Sequence, residues 1–342
     1  MTLSVRMREA VGSVIPVWFP EDMPAWGMLE LLSATLNDAE LFAGPERIVL
    51  VVDGCPGAVE PTEQAAAELA ARAGGPPTVI VTQRNEGKGA AICTGFERLL
   101  ADDAVTALNV RDADGDHDIY DLPQLYRLFE QMRDQERTDD VFVVGCRGSL
   151  TRPLGFARGE NEQMLNRLTV DALNHRLSRE GGAIDERYTG RYGRAPDLQS
   201  GYKMYSRTAA QVVMASLRAA DEAEPELEVM RWAVEFIPTV ELLLRGFIPG
   251  ALYRLTYDGQ PQTTFDESDL PRAYSKQIAW LFRRLELPHE VGRRLLDNAL
   301  SATEYVTAAA GAQHLAALRE QVIEECYPDR AGEKAARGGD FV

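Results

Sequence analysis

Two hydrophobic periods alternate along the first three-quarters of the chain. Apolar runs of strand length occur at 13–17, 47–52, 78–82, 105–110, 141–144 and 251–257. Between them the apolar positions recur at helical spacing. Met28, Leu29, Leu32 and Leu36 form one stripe, Ile92, Phe96, Leu99 and Leu100 another, and Leu165, Leu168, Ala172 and Leu173 a third. Residues 62–73 read as an alanine-rich helix stopped by Gly74-Gly75, and 122–135 and 207–218 as two more helices. The segment 226–245 reads as a helix interrupted by Pro238. Strand–helix alternation of this kind predicts an α/β fold, a mostly parallel sheet flanked by helices. Beyond Asp269 only helical stripes remain, among them Tyr274, Ile278, Leu281 and Phe282, then Leu295, Leu296 and Leu300, then Leu315, Leu318 and Val322. The expected organisation is therefore an α/β domain over 1–257, a helical C-terminal region over 258–328, and a disordered polar tail over 329–342.

In open sheets of this class ligands bind beyond the carboxyl ends of the strands, and the polar residues at those ends form a pattern. Asp53 follows the second run. Asp112, Asp114, Asp116 and Asp118 follow the fourth at alternate positions, and Arg147 follows the fifth. Four carboxylates so spaced repel one another unless a cation offsets them, which points to a hard divalent ion. An EF-hand loop starting at Asp112 needs Gly at its sixth position and Glu at its twelfth, where this chain has His117 and Pro123. The glycine segment Asn85-Glu86-Gly87-Lys88-Gly89 fits neither a P-loop nor a dinucleotide fingerprint. It does place a lysine and two small residues at a helix N-terminus, a workable anion site.

Composition narrows the function classes. With 342 residues and 45% hydrophobic positions the chain has ample material for a core. A formal charge of −17 argues against nucleic acid as a partner. Cys55, Cys93, Cys146 and Cys326 are scattered without zinc spacing and read as reduced thiols of a cytoplasmic protein. No uncharged stretch approaches the ~18 residues that membrane insertion needs.

Taken in order, Asn85-Glu86-Gly87-Lys88-Gly89-Ala90, Asp112-Ala113-Asp114 and Asp197-Leu198-Gln199-Ser200-Gly201-Tyr202-Lys203-Met204-Tyr205 resemble a family 2 glycosyltransferase of the GT-A fold. The similarity is greatest to the dolichyl-phosphate glucosyl- and mannosyltransferase branch and spans Ser13 to Tyr257. It implies a nucleotide-sugar donor, UDP- or GDP-linked, and inverting transfer. By this resemblance Pro16 and Glu21 belong to the opening strand and loop of the donor site. Asp53 stands in a nucleoside-contacting Asp-Asp-Gly whose first acid is here Val52. Asp112, Asp114 and Asp116 match a set holding Mg²⁺ or Mn²⁺, and Gly145-Cys146-Arg147 resembles the family's Gly-Ser-Arg. Val240-Glu241-Leu242-Leu243 looks like the helix closing its sugar pocket.

The residues suit that chemistry independently. Breaking a sugar–diphosphate bond leaves negative charge that a cation on Asp112 and Asp114, with Lys88 or Arg147, stabilises. A hydroxyl acceptor needs a base, and Asp197 and Glu241 are the candidates; a phosphate acceptor needs none. The bland alternatives are a turn cap for Asp197, an ion-paired helix acid for Glu241 and a surface salt bridge for Arg147. Gln262 and Thr264, between Tyr257 and Phe265, suit a polar acceptor. The C-terminal helices are expected to serve as a lid, a homodimer interface, or both. The acceptor expected is a soluble polar molecule, with a polyprenyl phosphate as the alternative; a non-catalytic sugar-nucleotide-binding protein is the competing class. A sugar-1-phosphate nucleotidyltransferase would want glycine and a basic residue between Pro16 and Asp22, where glycine is absent.

Overall fold

The computed structural model describes residues 2–190, 195–255 and 270–330. In chain order the elements are α1 (Leu3–Ala10), β1 (Val11–Val17), α2 (Ala25–Leu36), β2 (Ile48–Val52), α3 (Val59–Ala73), β3 (Thr78–Val81), α4 (Lys88–Leu100) and β4 (Ala107–Val110). They continue with α5 (Leu122–Glu136), β5 (Val141–Cys146), α6 (Thr151–Leu154), α7 (Phe156–Ser178), β6 (Lys203–Ser206), α8 (Arg207–Ala223) and α9 (Val229–Trp232). Last come α10 (Phe236–Leu244), β7 (Ile248–Tyr253), α11 (Leu270–Arg284), α12 (His289–Ser301) and α13 (Gly311–Cys326).

The described chain divides into two compact units, and the division departs from the one expected. The first holds 2–147, 186–190 and 200–255; the second holds 148–185, 195–199 and 270–330. The long helix α7 therefore groups with the C-terminal helices, because its apolar positions pack on α11 and α12. Glu160 of α7 accepts hydrogen bonds from Thr303 Oγ1 (3.1 Å) and the Glu304 backbone N–H (2.8 Å), a buried carboxylate that helps hold that unit together.

The first unit is built on a seven-stranded sheet of order β3-β2-β1-β4-β6-β5-β7. β1, β2, β3 and β4 run parallel, β7 is parallel to β5, and β6 is antiparallel to both its neighbours. All five residues of β2 are buried, as a strand covered by helices on both faces requires. Gly95 lets α4 lie against β1, since a Cβ there would meet Val14 Cγ1 at 2.4 Å. Among the described residues no helix is long and apolar enough to cross a membrane.

Two prolines sit inside regular elements. β1 continues through Pro16 to Val17 although it is an interior strand. The Val14 carbonyl accepts from Arg111 N–H and the Val17 carbonyl from Asp53 N–H, so even-numbered positions face β4 and odd-numbered ones face β2. Pairing with β4 stops at Val14↔Val110, so the N–H that Pro16 lacks points beyond the end of β4 and no ladder bond is lost. Pro238 lies in the first turn of α10, where backbone N–H groups lack helical partners anyway; it opens that helix instead of breaking a longer one.

Candidate functional site

β1 has β2 on one side and β4 on the other, so the strand order reverses there, the point beyond whose strand carboxyl ends ligands bind in open α/β sheets. Lys88, the first residue of α4, stands at this edge of the sheet. Its Nζ is 2.7 Å from Asp112 Oδ1 and 2.7 Å from Glu235 Oε1. Burial works against the ammonium, but the two carboxylates outweigh it and raise its pKa well above that of a free lysine. Glu235 immediately precedes α10 and has no counterpart among the residues singled out from the sequence.

Gly201 adjoins the same three-way contact. A Cβ at this position would lie 3.2 Å from Lys88 Nζ, 3.3 Å from His117 Cε1 and 3.5 Å from Asp112 Oδ2. The missing side chain lets the 201 backbone lie close against an ammonium, a carboxylate oxygen and an imidazole edge.

The acidic loop is folded around His117. The Asp112 N–H donates to His117 Nδ1 at 2.9 Å, which leaves the ring proton on Nε2, 3.8 Å from Asp112 Oδ2 and 3.9 Å from Asp116 Oδ2. The ring stacks on Tyr202 with centroids 4.6 Å apart, and Arg111 Nε and Nη2 both donate to the His117 carbonyl. Burial, then Arg254, Lys88, Arg111 and Arg147, hold His117 neutral well below its ordinary pKa. Arg147 is itself buried and belongs to this group of cations.

Asp114 Oδ1 accepts from Asp116 N–H at 3.1 Å. Asp116 points elsewhere: it is buried, with Oδ2 3.4 Å from Arg254 Nη1. Among the described residues no group of three or more His, Cys, Asp and Glu side chains is placed to hold a metal ion. Of the expected triple of Asp112, Asp114 and Asp116, the last is paired with the buried guanidinium of Arg254.

No protein-family model matches this sequence, and no curated protein matches it.

The other predicted residues occupy varied places. Asp53 is buried, and its carboxylate accepts from the backbone N–H groups of Glu86 (3.0 Å) and Gly87 (2.7 Å) and from Thr82 Oγ1 (3.3 Å). It locks the loop that carries Lys88. Pro16 is half-buried in β1, and Glu21 is exposed on the loop that follows. Glu241 is buried on α10 with Arg245 Nε at 3.9 Å, one turn further along, as the ion-paired alternative anticipates. Asp197 is buried within the second unit. Gln262 and Thr264 lie outside the described residues, as does most of the tail from Asp329.

The acidic loop makes stability pH-dependent. Burial first, and the Asp112 charge second, push the Asp114 carboxyl up to about 6. Between the ordinary carboxyl pKa and that value the folded state binds more protons than the unfolded state, so stability falls as pH rises through this window. Asp114→Asn keeps the acceptor for Asp116 N–H and removes the charge. In chelator-containing buffer the variant should be more stable than the parent above pH 6 by about 1–2 kcal/mol, allowing for solvent access, with the difference vanishing near pH 4. Urea denaturation at pH 4, 5, 6 and 7.5 measures this; a difference independent of pH would contradict it.

Proposed function

We propose that this chain is an inverting glycosyltransferase of the GT-A type, moving a sugar from a UDP- or GDP-linked donor to a soluble polar acceptor. The observation that carries the reading is the ammonium of Lys88, held on Asp112 at a helix N-terminus beside Gly201, at the sheet edge where the strand order reverses. A diphosphate suits such a place. It needs a fixed positive charge, backbone that permits close approach and a carboxylate pair to share a cation.

Asp112 and Asp114 suit Mg²⁺ or Mn²⁺ as two hard oxygen ligands, because the Lys88 ion pair is made through Asp112 Oδ1 and Asp114 uses only one oxygen within the loop. When bound, the ion supplies positive charge to the departing diphosphate. Lys88 contributes the same sign from a position set by Asp112, and Asp53 fixes the backbone on which Lys88 stands. His117 shapes the loop through the Asp112 N–H and stays neutral, so it donates from Nε2 without adding charge.

The test is a panel of UDP- and GDP-sugars with Mg²⁺ or Mn²⁺, read by release of UDP or GDP with and without candidate acceptors. Release from at least one donor is expected, accelerated by its acceptor. Binding of nucleotide without release from any donor would favour the non-catalytic sugar-nucleotide-binding class, and absence of binding would overturn the reading.

A further inference from the structure

Resting on the glycosyltransferase reading, we propose that Glu235 is the catalytic base of the transfer and that Lys88 latches it until the donor diphosphate takes the ammonium. Neither base candidate drawn from the sequence is comparably placed: Glu241 faces Arg245, and Asp197 lies buried in the second unit. Glu235 sets Oε1 2.7 Å from Lys88 Nζ, while its other oxygen has no hydrogen-bond donor among the described residues. With a side chain 24% exposed, it is open to an incoming hydroxyl.

The backbone holds this pair in register. The Met230 carbonyl lies where a Cβ on Gly87 would reach it at 2.5 Å, so the two chain segments touch through the missing side chain. Arg231 Nη2 donates to the Asn85 carbonyl at 3.1 Å. The glycine loop carrying Lys88 and the segment carrying Glu235 are thus pinned together a few residues from the ion pair.

Lys88 has two carboxylate partners in the free protein, and a diphosphate oxygen competes for the same ammonium. Its arrival weakens the Lys88–Glu235 pair and leaves the carboxylate free to accept a hydrogen bond from the acceptor hydroxyl. In the transfer step the acceptor O–H gives its proton to Glu235 while the acceptor oxygen bonds to the anomeric carbon. The bond from that carbon to the diphosphate breaks, and its electron pair leaves on the diphosphate oxygen. Glu235 later returns the proton to water. A base freed only by the donor limits idle proton transfer in its absence.

The experiment compares the full-length protein with Glu235→Gln, Glu235→Asp, Glu241→Gln and Asp197→Asn. Titration calorimetry with Mg²⁺-pyrophosphate, UDP and GDP is paired with transfer rates on whichever donor the panel identifies. Glu235→Gln is expected to bind the diphosphates about 3- to 10-fold more tightly, because one competitor for Lys88 has lost its charge, and to transfer at least ~100-fold more slowly. Glu235→Asp, which keeps the carboxylate, should recover about a tenfold part of that rate and serves as the informative variant if Glu235→Gln fails to fold. Simple structural damage weakens binding and turnover together, so opposite movement identifies the latch. Unchanged transfer in Glu235→Gln, weaker diphosphate binding, or a larger loss in Glu241→Gln or Asp197→Asn would overturn the assignment while leaving the enzyme class standing. A parent protein that binds none of the three probes overturns both.

Discussion

Asp112→Asn is expected to lower donor turnover by about two to three orders of magnitude with little loss of stability. Three interactions meet on this residue. Its Oδ1 holds Lys88 at 2.7 Å, its Oδ2 lies beside Gly201, and its N–H holds His117. The substitution keeps the N–H and the side-chain size but removes the charge that pairs with Lys88. Lys88 then has only Glu235 to pair with. Removing one preorganised charge from a leaving-group site typically costs ~10²–10³ in kcat. The fold should tolerate the change within about 1 kcal/mol, because Lys88 remains paired and solvent reaches the site. Steady-state rates alongside urea melts check both halves, and turnover within tenfold of the parent would remove Asp112 from the chemistry.

Gly54→Ala should cost about 3–4 kcal/mol and lower Tm by something on the order of 5–10 °C. Gly54 has φ +56°, and an added Cβ would sit 2.0 Å from the Asn85 nitrogen and 2.1 Å from the Arg84 carbonyl carbon. Backbone atoms cannot rotate away, so the 84–87 segment must shift. That segment is the one Asp53 holds through the Glu86 and Gly87 N–H groups, and its displacement moves Lys88 as well. Diphosphate affinity should therefore fall together with stability. Gly74→Ala is the internal comparison: φ is similar at +79° but nothing lies within 4 Å of the new Cβ. Only the left-handed backbone is penalised there, about 1 kcal/mol. Equal effects at the two positions would mean that close packing on the Arg84–Asn85 backbone is irrelevant.

Glu235 was invisible before the fold was known. It lies in the run Trp232-Ala233-Val234-Glu235-Phe236, where a lone acid beside apolar residues has no distinguishing spacing. Glu241, six residues on, had the more suggestive setting, one carboxylate against a leucine face. Which of the two reaches Lys88 depends on where α10 begins, and that start is placed by Pro238 in its first turn and by the packing of Met230 on Gly87. A partial signal did exist: Gly87 and Gly89 flank a lysine, and glycines permit the close approach of a second segment that Met230 makes there.

Asp53 and Asp116 illustrate the same limit. A strand-end acid reads equally well as a ligand contact or as an acceptor for a neighbouring loop. Only the return of the 84–87 backbone past Gly54 commits the Asp53 carboxylate to the Glu86 and Gly87 N–H groups. Alternation along 112–118 places the carboxylates close together, yet it cannot reveal that Arg254, 138 residues away, claims Asp116.

Local pattern was enough for the strand–helix alternation, the edge of the sheet at which polar residues collect, the helical C-terminal region and the marking of the glycine segment with Lys88 and the acidic run with Asp112, whereas Gly201 was marked by the family resemblance alone. The former follow from the 2.0- and 3.6-residue repeats and from the rule that loops at strand ends carry polar groups. The reversed direction of β6, the grouping of α7 with the C-terminal helices, and the convergence of Lys88, Asp112 and Glu235 were decided by tertiary packing. Each depends on contacts between residues far apart in the chain, and no local pattern encodes which distant carboxylate comes to rest 2.7 Å from a given ammonium.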